Sequence, residues 1–418
     1  MKVLYFHQHF VTPKGPGAVR SYMMARHLVE HGHSVTMVCG SAKGATTGLD
    51  GPFTRGMRQG MVDGIRVIEL DLAYSNSDGF AKRSWTFIRF ALRSILLALR
   101  EPCDLVFATS TPLTAALPGI AARWLRGKPF VFEVRDLWPE LPRAMGVIRN
   151  PVVLGAMGVL EYAGYRSASA LVGLSPGIVE GIARRGTPPG RIHMVPNGCD
   201  LDIFAAETEP WRPEGVASGD LMCVFAGTHG IANGLDSVLD AAAVLQGRGR
   251  ADIKLVLVGD GKLKPALVRR AAQERLDNVV FLAPVNKARL AGLLAGTDIG
   301  LQVLADVPAF YYGTSPNKFF DYLAAGLPVL TNYPGWVADL VQQHDCGWGV
   351  PARNPEAFAD ALEEAARHRE RLPVMGANAR TLARTQFSRR VLAARWTAAV
   401  LGVAAPHAQA TTESPESR

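Results

Sequence analysis

The sequence predicts an α/β protein of two Rossmann-like domains, each a parallel sheet with helices on its faces. The chain has 418 residues, which exceeds the roughly 250 to 300 at which a single hydrophobic core stops growing. Apolar residues make up 48% and charged residues 20%, the balance of a folded globular protein. Short apolar runs alternate with longer helical patterns, and this βαβα order is typical of parallel sheets with crossover helices.

The first predicted domain covers residues 1–204. Its strands are rich in Val, Ile, Leu and Phe, and the first of them runs into a helix at about Ala18 to Glu30. The apolar runs that we read as strands are KVLYF, SVTMVCG, GIRVIEL, DLVFA, PFVFEV, ALVGLS and IHMVP.

The second predicted domain covers residues 221–386, where the alternation restarts. It follows a linker at 205–220 that is dense in Pro, Gly, Glu and Ala and has no apolar period. Its strands are MCVFAG, IKLVLVGDG, NVVFL, DIGLQVL and LPVLT. A C-terminal helix at 387–402 can cross back to the N-terminal domain, and the polar tail at 403–418 is expected to be disordered.

Charge and cysteine usage limit the classes of partner and compartment. The net charge of +8 favours an anionic partner but does not choose among nucleotide, nucleic acid and membrane. The five cysteines are scattered without the spacing of a zinc site or a disulfide framework, so buried free thiols are expected. The N-terminus lacks the features of a signal peptide, and no run of about 18 apolar residues predicts a spanning helix.

Two glycine loops each follow the first strand of a predicted domain. Gly15 and Gly17 precede the first helix, and AGTHGIANG contains His229 and Gly230. In doubly wound sheets ligands bind beyond the carboxyl ends of the strands, and glycines let the backbone approach an anion at a helix N-terminus. For the first loop, an equal alternative is that its glycines merely turn the chain and bind no anion. The glycine spacing does not match the dinucleotide fingerprint, which disfavours NAD.

The most informative segment is SPNKFFDYLAAGLPVL, residues 315–330. Ser315 is a good N-cap and Pro316 suits the first helical position, so the N–H groups of Asn317 and Lys318 would face an anion. Lys318 adds a cation, and Asp321 lies one turn further along the same face, where it can accept hydrogen bonds from ribose hydroxyls. This pattern predicts a phosphate and ribose site.

The same segment resembles family 4 of the retaining glycosyltransferases, whose members have the GT-B fold of two Rossmann-like domains facing a central cleft. Asp321 matches the second acid of the family motif, which holds the donor ribose. The first acid falls at Gly313, so the carboxylate that usually binds donor-sugar hydroxyls is missing here. The resemblance covers nearly the whole chain.

Further landmarks extend this resemblance. NGCDLDIF at 197–204 is similar to the family's entry to the linker, and VGDGKLKPAL resembles its Gly-Asp-Gly loop, which adds Lys262 as a phosphate-binding candidate. The loop after NVVFL reads the nucleobase in relatives, which would place Val285 there. Asp200 also has an ordinary interpretation as a turn carboxylate that caps backbone N–H groups, and we favour it.

VFEVRDLWPE, residues 131–140, is similar to a block in bacterial amino-deoxyhexose (fucosamine-type) transferases of surface polysaccharide assembly, such as O-antigen or capsule. Arg135 and Asp136 fall at a strand end near the expected donor sugar, either as catalytic groups or as an ordinary ion pair. His229 is a further catalytic candidate with Lys318. His7 and His9 lack metal-ligand spacing, so wet or core imidazoles are expected.

The predicted helix at 82–100 sets five cations among aromatic and aliphatic residues. A basic helix of this kind can lie on an anionic membrane, although a core helix with snorkelling arginines has the same pattern. A lipid-linked acceptor would favour the membrane. We therefore expect a cytoplasmic enzyme, peripheral on the inner face of the cytoplasmic membrane.

The family implies transfer of a hexosyl-type sugar from a UDP-sugar to a polyprenyl-linked or other glycan acceptor, and the resemblance to amino-deoxyhexose transferases implies that the sugar is N-acetylamino. No metal or other cofactor is expected, because helix dipoles with Lys318 and Lys262 can stabilise the departing diphosphate. The family mechanism is a same-face displacement in which the leaving phosphate helps take the acceptor proton, so no general base is named. Domain closure about the linker would exclude water.

Two rival hypotheses stay open at this point. A nucleotide-sugar epimerase can share the two-domain fold and would equilibrate UDP-sugars without any acceptor. A catalytically silent protein of the same fold could organise polysaccharide assembly, and Gly313 keeps that alternative open because the usual acid is missing. A nucleic acid is not an expected partner.

Overall fold

The computed structural model describes residues 1–15, 19–42, 46–74 and 78–403. Two compact units divide them: residues 1–196, 313–315 and those from Leu392 on form the first, and residues 197–312 and 316–391 the second. The prediction for Gly17 and that for the tail beyond Val403 lie outside the described residues.

The first unit is built on an eight-stranded sheet in the order β3-β4-β2-β1-β5-β6-β7-β8. Its strands are β1 Lys2–Phe6, β2 Ser34–Ala42, β3 Met57–Val62, β4 Ile65–Tyr74, β5 Leu105–Thr109, β6 Phe130–Val134, β7 Ala170–Gly173 and β8 Ile192–Met194. Its own helices are α1 Arg20–Glu30, α2 Phe80–Arg100, α3 Ala116–Arg126, α4 Glu140–Ala144, α5 Pro151–Ser167 and α6 Pro176–Arg184.

All neighbouring strands of this sheet pair in parallel except β3 and β4, which form an antiparallel hairpin at one edge. Asp63 and Gly64 join the two strands, and both have positive φ, at 48° and 81°. Such a pair of left-handed residues is the turn that suits a two-residue hairpin, and Asp-Gly is its usual sequence. The hairpin is thus a feature that the βαβα reading missed although its turn was visible in the sequence.

The second unit has a six-stranded, fully parallel sheet in the order β11-β10-β9-β12-β13-β14. Its strands are β9 Leu221–Ala226, β10 Ile253–Val258, β11 Val279–Leu282, β12 Ile299–Gln302, β13 Val329–Thr331 and β14 Gly347–Gly349. The remaining helices are α7 Leu201–Phe204, α8 Asp236–Gly247, α9 Lys264–Gln273, α10 Lys287–Ala295, α11 Pro308–Gly313, α12 Asn317–Ala325, α13 Trp336–Gln343, α14 Pro355–Arg367, α15 Leu372–Thr385 and α16 Arg389–Gly402.

The predicted fold class, two Rossmann-like domains with parallel sheets, is confirmed. The central strands of both sheets, such as β5, β6 and β9, are buried apolar runs, as parallel strands covered on both faces must be. The five cysteines are free and buried, as expected from their scatter. Among the helices that the structure describes, none is both long and apolar enough to cross a membrane.

The segment predicted as a linker packs on the second unit. The Trp211 indole N–H donates to the Arg289 carbonyl at 2.8 Å, and Arg212 pairs with Asp298 at 3.0 Å. The C-terminal helix is α16, whose Trp396 ring lies 4.8 Å from that of Phe107 in the core of the first unit. Its later residues therefore belong to the first unit although they follow the second in sequence.

Candidate functional site

A cavity of about 370 Å³ opens at the carboxyl ends of β9, β10 and β11 in the second unit. Three loops and two helices form its wall: the glycine loop after β9, the Gly-Asp-Gly loop after β10, the loop before α10, one side of α10, and the start of α12. Its lining residues include Gly227, Thr228, Asp260, Val285, Lys318 and Asp321. The sequence therefore brings together at one sheet edge the segments that were predicted to bind a nucleotide.

The first turn of α12 places Lys318 and Asp321 in this wall. The helix begins at Asn317, with Pro316 in extended conformation at the N-cap position. Ser315 is therefore not the N-cap, contrary to the prediction, because the extended ψ of 123° at Pro316 delays the first helical turn by one residue. The helix ends at Ala325, and Gly326 directly after it closes the turn with a left-handed φ of 73°, as expected.

Lys318 is half-buried in the wall of the cavity. Its Nζ donates to Asn233 Oδ1 at 2.9 Å and lies 4.7 Å from the centre of the Phe225 ring. Burial lowers the pKa of Lys318 to about 8, and nearby Asp321 opposes part of this shift. The ammonium group is thus charged at pH 7, and Asp321 compensates only part of that charge. This suits Lys318 to bind an anionic ligand.

Asp321 is a half-buried carboxylate beside a separate group of charges. Burial raises the pKa of Asp321 to about 7, although Arg389 and Lys287 lower it in part. Asp200 accepts from Lys287 Nζ and from Arg389 Nε, both at 3.0 Å. Asp200 therefore engages in ion pairs and makes no side-chain capping bond, which corrects the turn-cap interpretation.

The two glycine-rich loops of the second unit approach each other through their backbones. A Cβ on Gly259 would lie 1.9 Å from the Gly227 carbonyl oxygen, and Gly259 has a φ of 139° that other residues rarely adopt. The Lys264 ammonium donates to the Gly259 and Leu282 carbonyls, each at 2.7 Å, and so fixes the Gly-Asp-Gly loop. The glycines are required here because the backbones pass in contact.

Four predicted site residues of the second unit, Asn317 among them, lie outside the cavity lining. Lys262 is exposed, and Gly230 caps a short 3₁₀ turn without entering the wall. The His229 imidazole is fully buried between the Phe225 and Phe281 rings, and burial lowers its pKa. The parts that these residues play in donor binding stay predictions.

Other wall residues were not foreseen in the sequence. Pro284, Leu290 and Leu294 provide an apolar end beside Val285. The Tyr322 hydroxyl accepts from the Ala226 N–H at 2.9 Å and so ties α12 to the end of β9. In the sequence, Tyr322 could have been recognised as a wall residue only because it directly follows Asp321. The apolar residues gave no such signal, because their place in the wall depends on how α10 packs.

In the first unit, Arg135 and Asp136 follow β6 directly, as predicted. Arg135 lies 3.3 Å from His7 Nε2 and 3.9 Å from Glu133, while Asp136 accepts from the Thr111 hydroxyl at 3.0 Å. Burial raises the pKa of Asp136, and the Thr111 hydrogen bond opposes that shift. A catalytic part for this pair stays a prediction.

His7 and His9 are core-type imidazoles, as their spacing indicated. Burial with the nearby Arg135 charge lowers the pKa of His9 to about 4 and that of His7 well below its ordinary value. Gly15 donates its N–H to the Thr12 carbonyl at 3.0 Å, and a Cβ there would meet Thr46 at 2.9 Å. Gly15 thus makes a close backbone turn, while its predicted contact with an anion is untested.

A buried ion pair near Arg135 was not anticipated. Arg20, at the start of α1, donates from Nε and Nη2 to Glu133 Oε2 at 3.1 and 2.8 Å, and both side chains are almost fully buried. Burial would raise the pKa of Glu133, but Arg20 and Arg135 outweigh it and hold that pKa below the usual range. Arg20 also donates to the Val195 and Pro196 carbonyls.

Known proteins show the same two-part organisation. Residues 15–198 match the glycosyl transferase 4-like domain, and residues 220–368 match the glycosyl transferases group 1. A GDP-mannose-dependent α-(1-6)-phosphatidylinositol dimannoside mannosyltransferase of Mycobacterium tuberculosis is 28% identical over 184 residues, which are 42% of this chain and 45% of that protein. The chain spans about half the length of the curated relatives that it matches.

Solved structures share the fold over almost the whole chain. Sucrose-phosphate synthase from Thermosynechococcus elongatus has a TM-score of 0.72 at 16% identity and covers 98% of this chain and 100% of its own. Anabaena HepE in complex with UDP has a TM-score of 0.64 at 15% identity and covers 95% and 98%. The chain therefore carries the two domains of the GT-B glycosyltransferases, a glycosyl transferase 4-like domain followed by a group 1 domain.

Proposed function

We propose that the protein is a retaining glycosyltransferase that moves a sugar from a nucleotide-sugar, UDP-linked, to a lipid-linked or other glycan acceptor in surface polysaccharide synthesis. The observation that carries the proposal is the cavity of the second unit, where Lys318, Asp321 and Val285 meet two glycine loops. The wall combines a cation, a carboxylate and apolar groups, which suit the phosphates, the ribose and the base of a nucleotide.

The phosphate end is formed by Lys318, the first N–H groups of α12 and the backbone of Gly227 and Thr228. A helix N-terminus carries about half a positive charge, and Lys318 adds a full one within the same turn. Both charges stabilise the diphosphate as it gains negative charge on leaving the sugar. On this basis we propose a metal-independent reaction with no further cofactor.

The nucleoside end follows from Asp321 and the loop before α10. Asp321 is placed one helical turn from Lys318, within reach of ribose hydroxyls beside the phosphates. Pro284, Val285, Leu290 and Leu294 give a wall for the flat face of a base. A backbone loop of this kind can read the edge of a base without a charged side chain.

Uridine is our choice of nucleoside, and guanosine is the competing one. HepE, which shares the fold, was solved with UDP, whereas curated relatives of higher identity use GDP-mannose. The sugar itself is proposed to be an N-acetylamino sugar on the resemblance of VFEVRDLWPE to amino-deoxyhexose transferases. Gly313 cannot bind the hydroxyls of the donor sugar as the family's acid does. The group that binds the sugar in its place therefore sets the donor specificity.

The first experiment is isothermal titration calorimetry of the protein with UDP, GDP and dTDP and their sugars. We expect UDP compounds to bind most tightly and Asp321→Ala to weaken them at least about tenfold, since a hydrogen bond to a charged group contributes roughly 1.5 to 3 kcal/mol. Asp339→Ala, an exposed carboxylate of α13 outside the cavity, is the matched control and should leave the affinity unchanged. Equal affinity of the Asp321 variant would overturn the site assignment.

The second experiment tests the reaction class. Labelled UDP-sugar is incubated with the protein alone and with bacterial membranes that supply polyprenyl-linked acceptors. Transfer to the lipid fraction supports the proposal, whereas epimerised sugar without acceptor identifies an epimerase. Donor binding with neither reaction in the presence of acceptor would indicate a silent scaffold.

A further inference from the structure

Helices α2, α3 and α5 lie side by side over one face of the sheet in the first unit. Phe90 of α2, Ala122 of α3 and Tyr165 of α5 belong to one buried cluster beneath them. Arg126 of α3 donates to two carbonyls at the end of α2, and the Trp124 indole N–H donates to the Ser167 hydroxyl of α5 at 2.8 Å. The sides of the three helices that point away from the sheet therefore form one continuous surface.

This outer surface carries large apolar side chains in water. The exposed fractions lie between 52% and 78% for Trp85, Leu92, Leu96, Trp124, Val152 and Val159. Single exposed apolar residues are ordinary, but a contiguous group across three helices marks an interaction surface. We call this surface, formed by the outer sides of α2, α3 and α5, the outer helical face.

The spacing of these residues is that of helical stripes. In α2, Trp85, Leu92 and Leu96 are seven and four residues apart, which keeps them on one side of the helix. In α5, Val152, Val159 and Tyr162 form a second stripe, and this helix is apolar on its inner side as well. A helix that is apolar all round is normally buried, and the part of the chain that the structure describes leaves the outer side of α5 uncovered.

The charge of the outer helical face has one sign. Helices α2 and α3 contain no aspartate or glutamate, and the only carboxylate of α5, Glu161, is buried and paired with Arg185 at 2.7 Å. Arg89, Arg100 and Arg166 are exposed among the apolar residues. The face thus combines apolar anchors with cations and no exposed anion.

This combination selects an anionic surface as its partner. A second copy of the chain docked through the same face would bring arginines against arginines, which opposes a symmetric dimer. An anionic lipid bilayer instead offers phosphates to the arginines and an apolar interior to the tryptophans, which favour the interface between the two.

We propose that the outer helical face docks the protein on the surface of a bilayer that contains anionic phospholipids. The inference rests on the proposed lipid-linked acceptor for its biological purpose, and it extends the membrane contact from α2 to three helices of the same layer. The apolar side chains insert at the level of the headgroups, and the arginines bind lipid phosphates.

The test is co-sedimentation of the full chain with vesicles, without donor or acceptor. Vesicles of phosphatidylcholine with about 30% phosphatidylglycerol, whose surface potential is negative, are compared with pure phosphatidylcholine. We expect binding to the anionic vesicles that weakens with added salt. Arg89→Glu with Arg166→Glu should reduce the partition coefficient more than about tenfold, since each cation contributes about fivefold. Leu92→Asp with Val159→Asp should do likewise by removing apolar anchors.

Matched controls carry the same changes elsewhere on the surface. Arg384→Glu and Val374→Asp alter exposed residues of α15 in the second unit and should bind vesicles like the native chain. Circular dichroism and thermal unfolding of each variant establish that the fold is kept.

Absent binding to anionic vesicles at low salt, or equal loss in the controls, would overturn the proposal. A dimer in sedimentation equilibrium that the same face variants dissociate would also overturn it in favour of a self-interface. The proposed donor site lies in the second unit, and its nucleotide affinity is measured without vesicles. Failure of membrane docking and failure of the donor site therefore give separate results.

Discussion

At the scale of single residues, the candidate site depends on two opposite charges one helical turn apart. Burial moves the pKa of Lys318 down to about 8 and that of Asp321 up to about 7. Between these values the lysine is charged and the carboxylate is ionised, which are the forms that bind phosphate and ribose hydroxyls. Perturbed groups that converge on one cavity are typical of functional sites.

The first prediction concerns the pH dependence of donor binding. Below pH 7 Asp321 becomes protonated in the free protein, so binding through the carboxylate must release a proton and weakens up to about tenfold per pH unit. Above pH 8 Lys318 loses its charge and affinity falls again. The affinity for a UDP-sugar is measured by titration calorimetry between roughly pH 5.5 and 9, a range that spans the pKa values of both groups. It should be highest near pH 7 to 8, between the pKa of Asp321 and that of Lys318.

Asp321→Asn is the control for this profile, because an amide does not titrate. Its affinity should be lower at pH 7.5 but should lose the fall on the acid side. A UDP-sugar is preferable to UDP because its diphosphate stays fully ionised over the range. An identical acid limb in the variant would show that another group controls the dependence.

A second residue-scale prediction concerns the buried pair of Arg20 and Glu133. Arg20→Met removes both hydrogen bonds that Arg20 donates to the buried Glu133 carboxylate and leaves it only Arg135, at 3.9 Å, and the Thr109 hydroxyl. It should therefore lower the free energy of unfolding of the first unit by about 3 kcal/mol. Arg20→Met combined with Glu133→Leu should restore much of the loss, since no buried carboxylate then lacks its main partner, and Arg135 is partly exposed to solvent. Denaturant unfolding measures both, and a cost below about 1 kcal/mol for the single change would contradict the buried-pair argument.

At the scale of elements, the site is made by loops that leave parallel strands at one edge of a sheet. The Gly-Asp-Gly loop after β10 lies against the glycine loop after β9 with no room for a side chain. This contact explains why glycine is needed at 259 without any appeal to a ligand. The same contact sets the backbone position of Gly227 and Thr228 in the cavity wall.

The third prediction is that Gly259→Ala displaces these loops. The new methyl group would overlap the Gly227 carbonyl, and alanine is strained at a φ of 139°. We expect lower thermal stability together with at least about tenfold weaker donor binding, because 1.4 kcal/mol of distortion already gives that factor. Gly247→Ala, at the end of α8 with open space around its Cβ, should be neutral or slightly stabilising.

At the scale of the whole molecule, the cavity belongs to the second unit alone. All of its lining residues fall within 226–322, and none comes from the sheet of the first unit. The outer helical face belongs to the first unit. The chain thus separates its candidate donor site from its candidate membrane surface.

The fourth prediction follows from this separation. A UDP-sugar at 100 times its dissociation constant should stabilise the native state by about 2.7 kcal/mol. In hydrogen exchange, we expect the ligand to slow amide exchange most in the loops after β9, β10 and β11 and in the first turn of α12. Protection that is strongest within α2, α3 and α5 would instead place the nucleotide outside the proposed site.

The sequence by itself determined the fold class, since burial on both faces of a parallel sheet forces the apolar runs and crossover helices that it displays. It also indicated that Lys318, Asp321 and a glycine loop would meet, because the carboxyl ends of parallel strands share one edge of a sheet, whereas Val285 was expected there from the resemblance to the family. The Asp-Gly turn of the β3–β4 hairpin was readable too, although the alternation of strands and helices hid it.

Only the tertiary structure decided the directions and partners of side chains. His229 points into the core while Thr228 faces the cavity, and Asp200 binds Lys287 and Arg389, which are 87 and 189 residues away. Likewise, α2 alone could have been a core helix, and its outer stripe became a surface only through its packing beside α3 and α5. Local sequence fixes the path of the backbone, whereas long-range packing decides what each side chain touches.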